Sequence, residues 1–175
     1  MKMFVNGWHV LYVKPQHEKR IDERLKELGL ESFLPLVTTI RQWSDRKKKV
    51  MKPLFPTYVF VYISSVKDLY KPLTINGVFR YLQFTDGYAR VTQKEMNIIR
   101  KLLNLEGASD IQALHSMPSI GQKMRIDFGA LRGLECEVIR VNNKNTISVR
   151  IEAINQVIMA SVPGAYLHPV TVKAS

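Results

Sequence analysis

Residues 53–61 read PLFPTYVFV, a stretch in which aromatic and β-branched residues crowd into one predicted strand. Side chains alternate between the two faces of a strand. The alternation gives two apolar sets, namely Tyr58, Phe60 and Tyr62 on one face and Val59, Val61 and Ile63 on the other. A strand with one face in water alternates apolar with polar residues, and this strand is apolar on both faces. Another part of the chain, or a partner, must therefore cover the aromatic face.

The segments that precede this strand predict a strand, a helix and a basic hairpin or loop. Residues 8–14, WHVLYVK, have the aromatic and β-branched composition of a strand. Pro15 suits the first position of a following helix, and Gly29 suits the position after its end. Residues 44–52, SDRKKKVMK, form the basic hairpin or loop.

The last helix of this half has the clearest signal in the chain. Thr92 and Glu95 have the S/T-x-x-E spacing of a capping box, which predicts a helix over residues 92–104. Strand-like segments and one short helix fill the sequence between the elements already named. Residues 1–106 therefore predict an α+β domain with a largely antiparallel sheet flanked by helices.

The remaining sequence changes in character. Residues 107–119 contain Gly, Ser, Asp and Pro with only a weak apolar pattern, which predicts a linker between two domains. Residues 120–175 contain short strand-like segments separated by glycine- and asparagine-rich turns, a pattern that predicts a small β-barrel. The strands are expected near residues 124–126, 135–141, 146–151, 157–162 and 167–172.

The positive charge is concentrated in the first half of the chain. The 175 residues carry a net charge of +11, and residues 1–106 account for +9 of it with 19 Lys/Arg against 10 Asp/Glu. Such a basic excess indicates a polyanionic partner, usually a nucleic acid, although a solvated basic surface is an alternative. Two segments contribute most, a helix with Lys14, His17, Arg20 and Arg24 near its start, and a loop with Arg46, Lys47, Lys48 and Lys49. Long cations spaced in this way can follow the phosphates of a strand.

The sequence offers little for catalysis. No histidine has a second ligand at the HExxH spacing, and the single cysteine, Cys136, allows neither a CxxC site nor an internal disulfide. Cys136 lies in a predicted strand and is expected to be a buried apolar side chain. We therefore expect a protein that is not an enzyme and has no cofactor or metal. No apolar run is long enough for a signal peptide or a membrane span, so we expect a cytoplasmic protein with no membrane partner.

Beyond these patterns, the sequence resembles the NusG/RfaH family of transcription elongation factors. The markers of their N-terminal NGN domain are a Trp-x-x-x-Tyr strand, here Trp8 to Tyr12, and a P-[LF]-F-P-x-Y-[VL]-F-V strand, here residues 53–61. Residues 124–141, MRIDFGALRGLECEVIRV, resemble the KOW motif, in which glycines turn the chain between two barrel strands. The resemblance implies an NGN domain over residues 1–106 and an SH3-like KOW barrel over residues 120–175.

The resemblance also implies partners. In this family the NGN domain grips the clamp helices, a coiled coil of bacterial RNA polymerase, through an apolar pocket. The matching positions here are Tyr58, Phe60, Phe84 and Met96. In RfaH-like members the start of the first helix contacts the non-template DNA strand, and the matching positions are Lys14, Arg20 and Arg24, with His17 on the same face. We therefore expect Tyr58 and Phe60 to line a groove that is open to a partner.

Two residues depart from the family pattern, and the first of them bears on the subtype. Thr57 stands where general NusG proteins commonly have glycine, and Cys136 stands where the KOW motif usually has glycine. The strand motif is closer to the operon-specific RfaH-like paralogues. Among those, the length, the basicity and the WHVLYVKPQHEKR opening look most like the UpxY-type antiterminators of capsular polysaccharide operons. The resemblance therefore implies an operon-specific antitermination factor that suppresses pausing and termination.

The expected partners follow from that role. They are RNA polymerase, the non-template DNA strand or the nascent RNA, and a ribosomal protein at the KOW barrel, and the factor itself is expected to be a monomer. A general NusG-type elongation factor and a ribosome-associated KOW-domain RNA-binding protein are the alternatives.

Overall fold

The computed structural model describes residues 6–42, 47–85, 87–115, 122–141 and 144–169. The chain divides into two compact units, Met1–Met96 and Asn97–Ser175. The α-helices of the described residues are α1 (Glu18–Glu27), α2 (Val66–Tyr70) and α3 (Gln93–Leu103), and 3₁₀ turns occupy Lys71–Thr74, Gly129–Leu131, Glu152–Ile154 and Gly164–Tyr166. Within the described ranges, none of the helices has the length and apolar character needed to cross a membrane. The predicted α+β class is confirmed.

The N-terminal unit is built on a five-stranded antiparallel sheet. Its strands and those of two small hairpins are β1 (Gly7–Val13), β2 (Ser32–Phe33), β3 (Leu36–Gln42), β4 (Lys47–Pro53), β5 (Tyr58–Ile63), β6 (Val78–Tyr81), β7 (Gln83–Phe84), β8 (Gly87–Tyr88) and β9 (Arg90–Val91). Strand β1 lies at the centre of the sheet, with β5 on one side and β6 and β9 on the other, and β2 pairs with the far edge of β5. The pairs β3–β4 and β7–β8 form two-stranded sheets of their own.

One face of the five-stranded sheet packs against α1 and α2. Val59, Val61 and Ile63 of β5 are fully buried there, as the alternation of the sequence predicts. They pack in one cluster with Ile21 and Leu25 of α1. Burial of these aliphatic side chains is the main source of stability for this unit, at about 1.5–3 kcal/mol for each fully buried side chain.

Helix α1 ends where the sequence predicts and begins later. Gly29 has a φ of +74°, and two consecutive N–H groups after the helix donate to carbonyls of its last turn at 2.9 and 3.0 Å, which closes the helix. At the other end the prediction from Pro15 is wrong. Gln16 takes a left-handed φ of +65°, so helical geometry begins only at Glu18.

Helix α3 has the predicted capping box. The N–H of Thr92 donates to the carboxylate of Glu95 at 2.8 Å, and the N–H of Glu95 donates to the hydroxyl of Thr92 at 3.2 Å. The next residue, Gln93, accepts a hydrogen bond of 3.1 Å from the indole N–H of Trp8 in β1. A local sequence signal therefore sets the start of the helix, and a long-range contact ties that start to the sheet.

A histidine is buried at the centre of the sheet. The side chain of His9 is fully buried, and its ring packs edge-on against Tyr81 and Tyr88 at centroid distances of 5.8 and 6.1 Å. Burial is the largest effect on its pKa and lowers it, with a smaller lowering by the charge of Arg90, against the opposing effect of the Gly7 carbonyl at 2.9 Å. The folded state therefore favours the neutral imidazole.

The turn before β5 contains a strained residue. Thr57 has a φ of +67°, a left-handed conformation that is uncommon for a β-branched residue. Two hydrogen bonds hold it there, because its N–H donates to the buried carboxylate of Glu18 at 2.9 Å and its carbonyl accepts from the N–H of Val13 at the same distance. Thr57 thus stores backbone strain where the chain enters the central strand pair.

We expect Thr57→Gly to raise the free energy of unfolding by about 1 kcal/mol. Glycine relieves a strain of about 1–3 kcal/mol, loses about 0.5–1 kcal/mol in backbone entropy and keeps both hydrogen bonds. Chemical denaturation of the two proteins measures the difference. Thr38→Gly, at an extended position of β3, is the matched control and is expected to destabilise. A lower stability for Thr57→Gly would show that the left-handed threonine is not strained.

The C-terminal unit contains a six-stranded antiparallel sheet. Its strands are β10 (Ser109–Leu114), β11 (Gln122–Ile126), β12 (Glu135–Val141), β13 (Lys144–Ile151), β14 (Gln156–Val162) and β15 (Leu167–Pro169), and the strand order is β10-β14-β13-β12-β11-β15. The last five agree with the predicted strands over the described residues. The structure shows an antiparallel sheet where the sequence predicts a barrel, and the barrel itself stays a prediction. Every residue of β14 is buried.

Strand β10 lies within residues 107–119, the segment predicted to be a linker. Residues Ser109–Leu114 pair antiparallel with β14, so six residues of the segment belong to the second sheet. The sequence does not predict this strand, because β10 lies at the edge of its sheet and has no fully buried side chain. Its apolar pattern is correspondingly weak. The division between the two units falls earlier in the chain, after Met96. Residues 116–119 of the predicted linker lie outside the described residues.

Candidate functional site

The aromatic face of β5 lies opposite the face that packs on α1. Tyr58, Phe60 and Tyr62 alternate along this face, and β1 lies beside them in antiparallel register. Two cross-strand ring pairs result, Tyr12 with Tyr58 at 6.2 Å and Trp8 with Tyr62 at 5.5 Å between centroids. Tyr58 and Tyr62 are half-buried. Aromatic pairs of this kind stabilise a sheet and leave ring edges for further contacts.

Phe60 does not line an open groove. Its side chain has no exposed surface. Phe55, from the segment before β5, packs edge-on against it at 5.7 Å, and Phe33 of β2 lies at 6.4 Å. The expectation of an open groove at Phe60 is therefore wrong for this structure, since other segments of the same chain bring rings over it.

The other two residues predicted to contact polymerase differ from each other in exposure. Met96, on α3, is fully buried. Phe84, on the β7–β8 hairpin, is 52% exposed. Of the four predicted residues, Tyr58 and Phe84 are therefore accessible to a partner, whereas Phe60 and Met96 are core residues. A single open pocket lined by all four is not present in the described residues.

Two exposed side chains near Tyr58 were not predicted. A register shift in the pairing of β1 with β6 leaves Phe79 without a partner residue, and its ring then contacts Tyr12 at 5.6 Å while remaining 57% exposed. The guanidinium of Arg80 lies 5.8 Å above the ring of Tyr12, a cation–π distance. No sequence signal predicted this grouping, because it depends on the register of two strands that are far apart in the chain.

The basic face of α1 borders a groove. Arg20 and Arg24 line an open groove of about 320 Å³. Its other walls are Ile21, Glu27, Leu28, Thr74, Ile75 and Asn76. The guanidinium of Arg24 is already paired with the carboxylate of Glu27 at 2.6 Å, and both side chains are more than half exposed. Such an exposed pair contributes little stability, so Arg24 can exchange its partner at low cost.

Lys14 and His17 lie at the adjoining end of this surface. A Cβ placed on Gly77, the residue after the groove-lining Asn76, would lie 3.7 Å from Cβ of Lys14 and 3.8 Å from the ring of His17. Lys14 is exposed, whereas His17 is half-buried and its Nδ1 lies 3.1 Å from the carbonyl oxygen of Pro15. The structure therefore brings together all four residues predicted on this helix. The polar groups of Thr74 and Asn76 were missed, since they follow α1 by some fifty residues.

Of the two alternatives predicted for the basic segment, a hairpin or a loop, the described residues show the hairpin, with β4 as its second strand. Lys48 and Lys49 lie on β4 and are exposed. Lys47 begins the same strand, but its side chain lies outside the described residues, as does Arg46 altogether. The ammonium of Lys19 on α1 donates to the carbonyl of Met51 at 3.0 Å and so fastens this hairpin beside the helix.

Two further features bear on chemistry, the possible metal ligands and the single cysteine. No group of three or more metal-ligating side chains occurs among the described residues. Cys136 is buried, as predicted, and burial raises the pKa of its thiol to about 11. A thiol with so high a pKa is a poor nucleophile at neutral pH.

Comparison with known proteins identifies one family that matches this chain. The family described as transcription termination factor NusG matches residues 6–100, which is more than half of the 175 residues. A solved structure concerning domain interaction in Thermotoga maritima NusG has a TM-score of 0.57 at 16% identity and covers 94% of this chain and 97% of that chain. The crystal structure of the MjSpt4:Spt5 complex in conformation A has a TM-score of 0.32 at 16% identity, with 93% of this chain and 97% of that chain covered. At this identity, the similarity to the Thermotoga protein concerns the fold.

Proposed function

The chain belongs to the NusG family of transcription factors, and from that premise we propose that it binds RNA polymerase during elongation and acts without catalysing a reaction. One observation carries this proposal, the family match over residues 6–100. That segment holds both surfaces described above, the accessible aromatic side chains and the basic groove. The proposed organisation is an NGN domain followed by a KOW barrel, in a monomer that works in the cytoplasm.

The proposed polymerase contact is the pair of accessible aromatic residues. Tyr58 is half-buried on the sheet face and Phe84 is 52% exposed on its hairpin. Rings of this kind serve as anchors for an amphipathic helix, and the clamp helices of the polymerase are the proposed ligand. Phe60 and Met96 are fully buried, so we assign them to the support of this surface.

The proposed nucleic-acid contact is the groove beside α1. Arg20 and Arg24 supply planar cations, and Thr74 and Asn76 supply neutral hydrogen-bonding groups within the same groove. Cations bind phosphates, and amide or hydroxyl groups can bind base edges that are not paired. The proposed ligand is therefore a single strand, the non-template DNA strand in the first place and the nascent RNA in the second.

Binding alone can change the behaviour of the polymerase. A ligand that prefers the elongating state over the paused state shifts the equilibrium by its differential affinity. We therefore propose suppression of pausing and termination, with the KOW barrel recruiting a further partner such as a ribosomal protein. The resemblance of residues 53–61 to RfaH-like paralogues supports an operon-specific role. The most specific version of this proposal is an antiterminator of the UpxY type.

Single-round transcription by bacterial RNA polymerase tests the proposal. Adding the protein is expected to shorten pauses and to increase readthrough of a terminator. Templates with unrelated leader sequences separate the two versions of the role, since an operon-specific factor acts on one leader and a general factor acts on all. Unchanged pausing and readthrough on every template would contradict the proposed function.

A second expectation concerns the basic groove. Arg20→Ala with Arg24→Ala should weaken binding of single-stranded DNA and flatten the log–log salt dependence by about 1.4, since each lost phosphate contact contributes about 0.7. Fluorescence anisotropy over a salt series measures both quantities. Arg125→Ala with Arg132→Ala is a matched control, because both are exposed arginines that pair with a carboxylate, as Arg24 does. Equal effects of the two double substitutions would show that only the overall charge matters.

A further inference from the structure

We propose that the β3–β4 hairpin is a ribbon that enters the major groove of double-stranded DNA. The inference deepens the proposed function and rests on it, because it assigns a duplex to the hairpin and leaves the single strand to the groove beside α1. The hairpin is a two-stranded sheet of its own, with seven residues in each strand. Its register is unbroken from the pair Leu36–Pro53 to the pair Gln42–Lys47.

The hairpin is anchored at its base and carries exposed side chains farther along both strands. Val37 is buried, and Leu36 packs on the core of the N-terminal unit. The hydrogen bond from Lys19 to the carbonyl of Met51 holds the edge of β4 against α1. Farther along, Ile40 is 66% exposed, and Lys48 and Lys49 of the facing strand are exposed as well.

One face of the ribbon exposes apolar side chains next to a cation. The register places Ile40 opposite Lys49 and Thr38 opposite Met51, with all four on the same face. Ile40 and Met51 are both among the exposed large hydrophobic residues, at 66% and 45%. Large apolar side chains that group together on a surface indicate a binding site. Apolar contacts with thymine methyl groups, alongside lysine contacts with guanine or phosphate, are how the major groove is read.

The charge of the ribbon selects a polyanion. Lys48, Lys49 and Lys52 are exposed on β4, and neither strand contains an Asp or Glu. An unopposed row of cations raises the local concentration of nucleic acid and contributes most of its binding energy at low salt. An acid-free, lysine-rich ribbon is therefore complementary to the phosphate walls of a groove.

The shape of the ribbon selects a DNA duplex. Two strands lie about 4.8 Å apart, and seven extended residues span about 24 Å. The major groove of B-form DNA is about 12 Å wide and admits a two-stranded ribbon, whereas the major groove of A-form RNA is too narrow for side chains to read. Because Lys19 joins the ribbon to the helix that carries Arg20, the two surfaces together suit a junction between duplex and single-stranded DNA.

The test uses the full chain and a 20-base-pair DNA duplex of mixed sequence. Replacing Lys48, Lys49 and Lys52 with alanine is expected to weaken binding at least tenfold and to flatten the salt dependence by about 0.9 for each lysine that contacts a phosphate. The matched control replaces three exposed helical lysines, Lys67, Lys94 and Lys101, with alanine and should change affinity no more than about twofold. Equal losses in the two triple variants would overturn the proposal.

Two further measurements identify the groove and the ligand. Wild-type protein should protect guanine N7, which lies in the major groove, from dimethyl sulfate, and protection confined to adenine N3 in the minor groove would overturn the proposal. An RNA duplex of the same sequence should bind at least tenfold more weakly, and equal binding would also overturn it. Ile40→Ala should reduce the preference for the duplex over its uracil-substituted form, which lacks the thymine methyl groups.

Failure of the ribbon proposal can be distinguished from failure of the proposed function. Both triple variants should melt like wild type, since the lysines are exposed, and both should retain polymerase binding and single-stranded DNA binding. Duplex binding that survives the β4 substitutions, in a protein that still alters pausing, would refute the ribbon and leave the proposed function intact.

Discussion

Replacing Phe60 by alanine is expected to lower the free energy of unfolding by about 3–5 kcal/mol. The ring has no exposed surface and packs against Phe55 and Phe33, so its removal loses the transfer energy of the ring and leaves a cavity. A loss of this size is a large fraction of the stability of a typical domain. Urea denaturation of the two proteins, followed by circular dichroism, measures the difference.

Phe84→Ala is the matched control for this substitution. It removes the same side chain from a site that is 52% exposed, so its effect on stability is expected to stay within about 0.5 kcal/mol. If Phe60→Ala unfolds at the wild-type urea concentration, then the ring does not belong to a packed core. That result would restore the open groove expected from the alternation of the strand.

Replacing Tyr58 and Phe84 together by alanine is expected to weaken binding to core RNA polymerase at least about 30-fold. A single aromatic anchor at the centre of an interface contributes about 2 kcal/mol, which corresponds to about 30-fold in affinity at 1.4 kcal/mol per factor of ten, so loss of both rings should cost at least that much. Both residues are accessible, so this variant should keep its fold. Biolayer interferometry with immobilised protein and core polymerase measures the affinity.

Phe128→Ala is the control for the polymerase measurement. Phe128 is 48% exposed and lies in the C-terminal unit, where its ring stacks on Tyr166 at 4.3 Å. This substitution should leave polymerase affinity unchanged. Wild-type affinity in the Tyr58–Phe84 variant, with a normal melting curve, would refute the assignment of this surface to polymerase.

Comparison of Phe60→Ala with Phe84→Ala also tests whether the predicted polymerase contacts divide into core residues and contact residues. Phe60 and Phe84 were expected to line one pocket, yet the structure makes one a core residue and leaves the other half-exposed. The first should change stability and the second should change binding. A binding defect in Phe60→Ala at temperatures where it is folded would show that the core ring also shapes the contact surface.

The sequence by itself determined the elements whose signals are local. The capping box of Thr92 and Glu95 predicts the start of α3, and Gly29 predicts the end of α1, because each involves hydrogen bonds within one turn of a helix. The alternation in β5 likewise predicts which side chains face the helices. The sequence also placed Arg20 and Arg24 on one side of α1, since helical periodicity alone brings them together.

Tertiary structure decided what covers each face, because those contacts join distant segments. Phe55 and Phe33 close over Phe60, and the strand Ser109–Leu114 joins a sheet through its pairing with β14, although its own apolar pattern is weak. Thr74 and Asn76 complete the groove beside α1 from a loop that follows it by some fifty residues. Periodicity in one segment shows that a face needs a partner, and only the folded chain determines which segment supplies it.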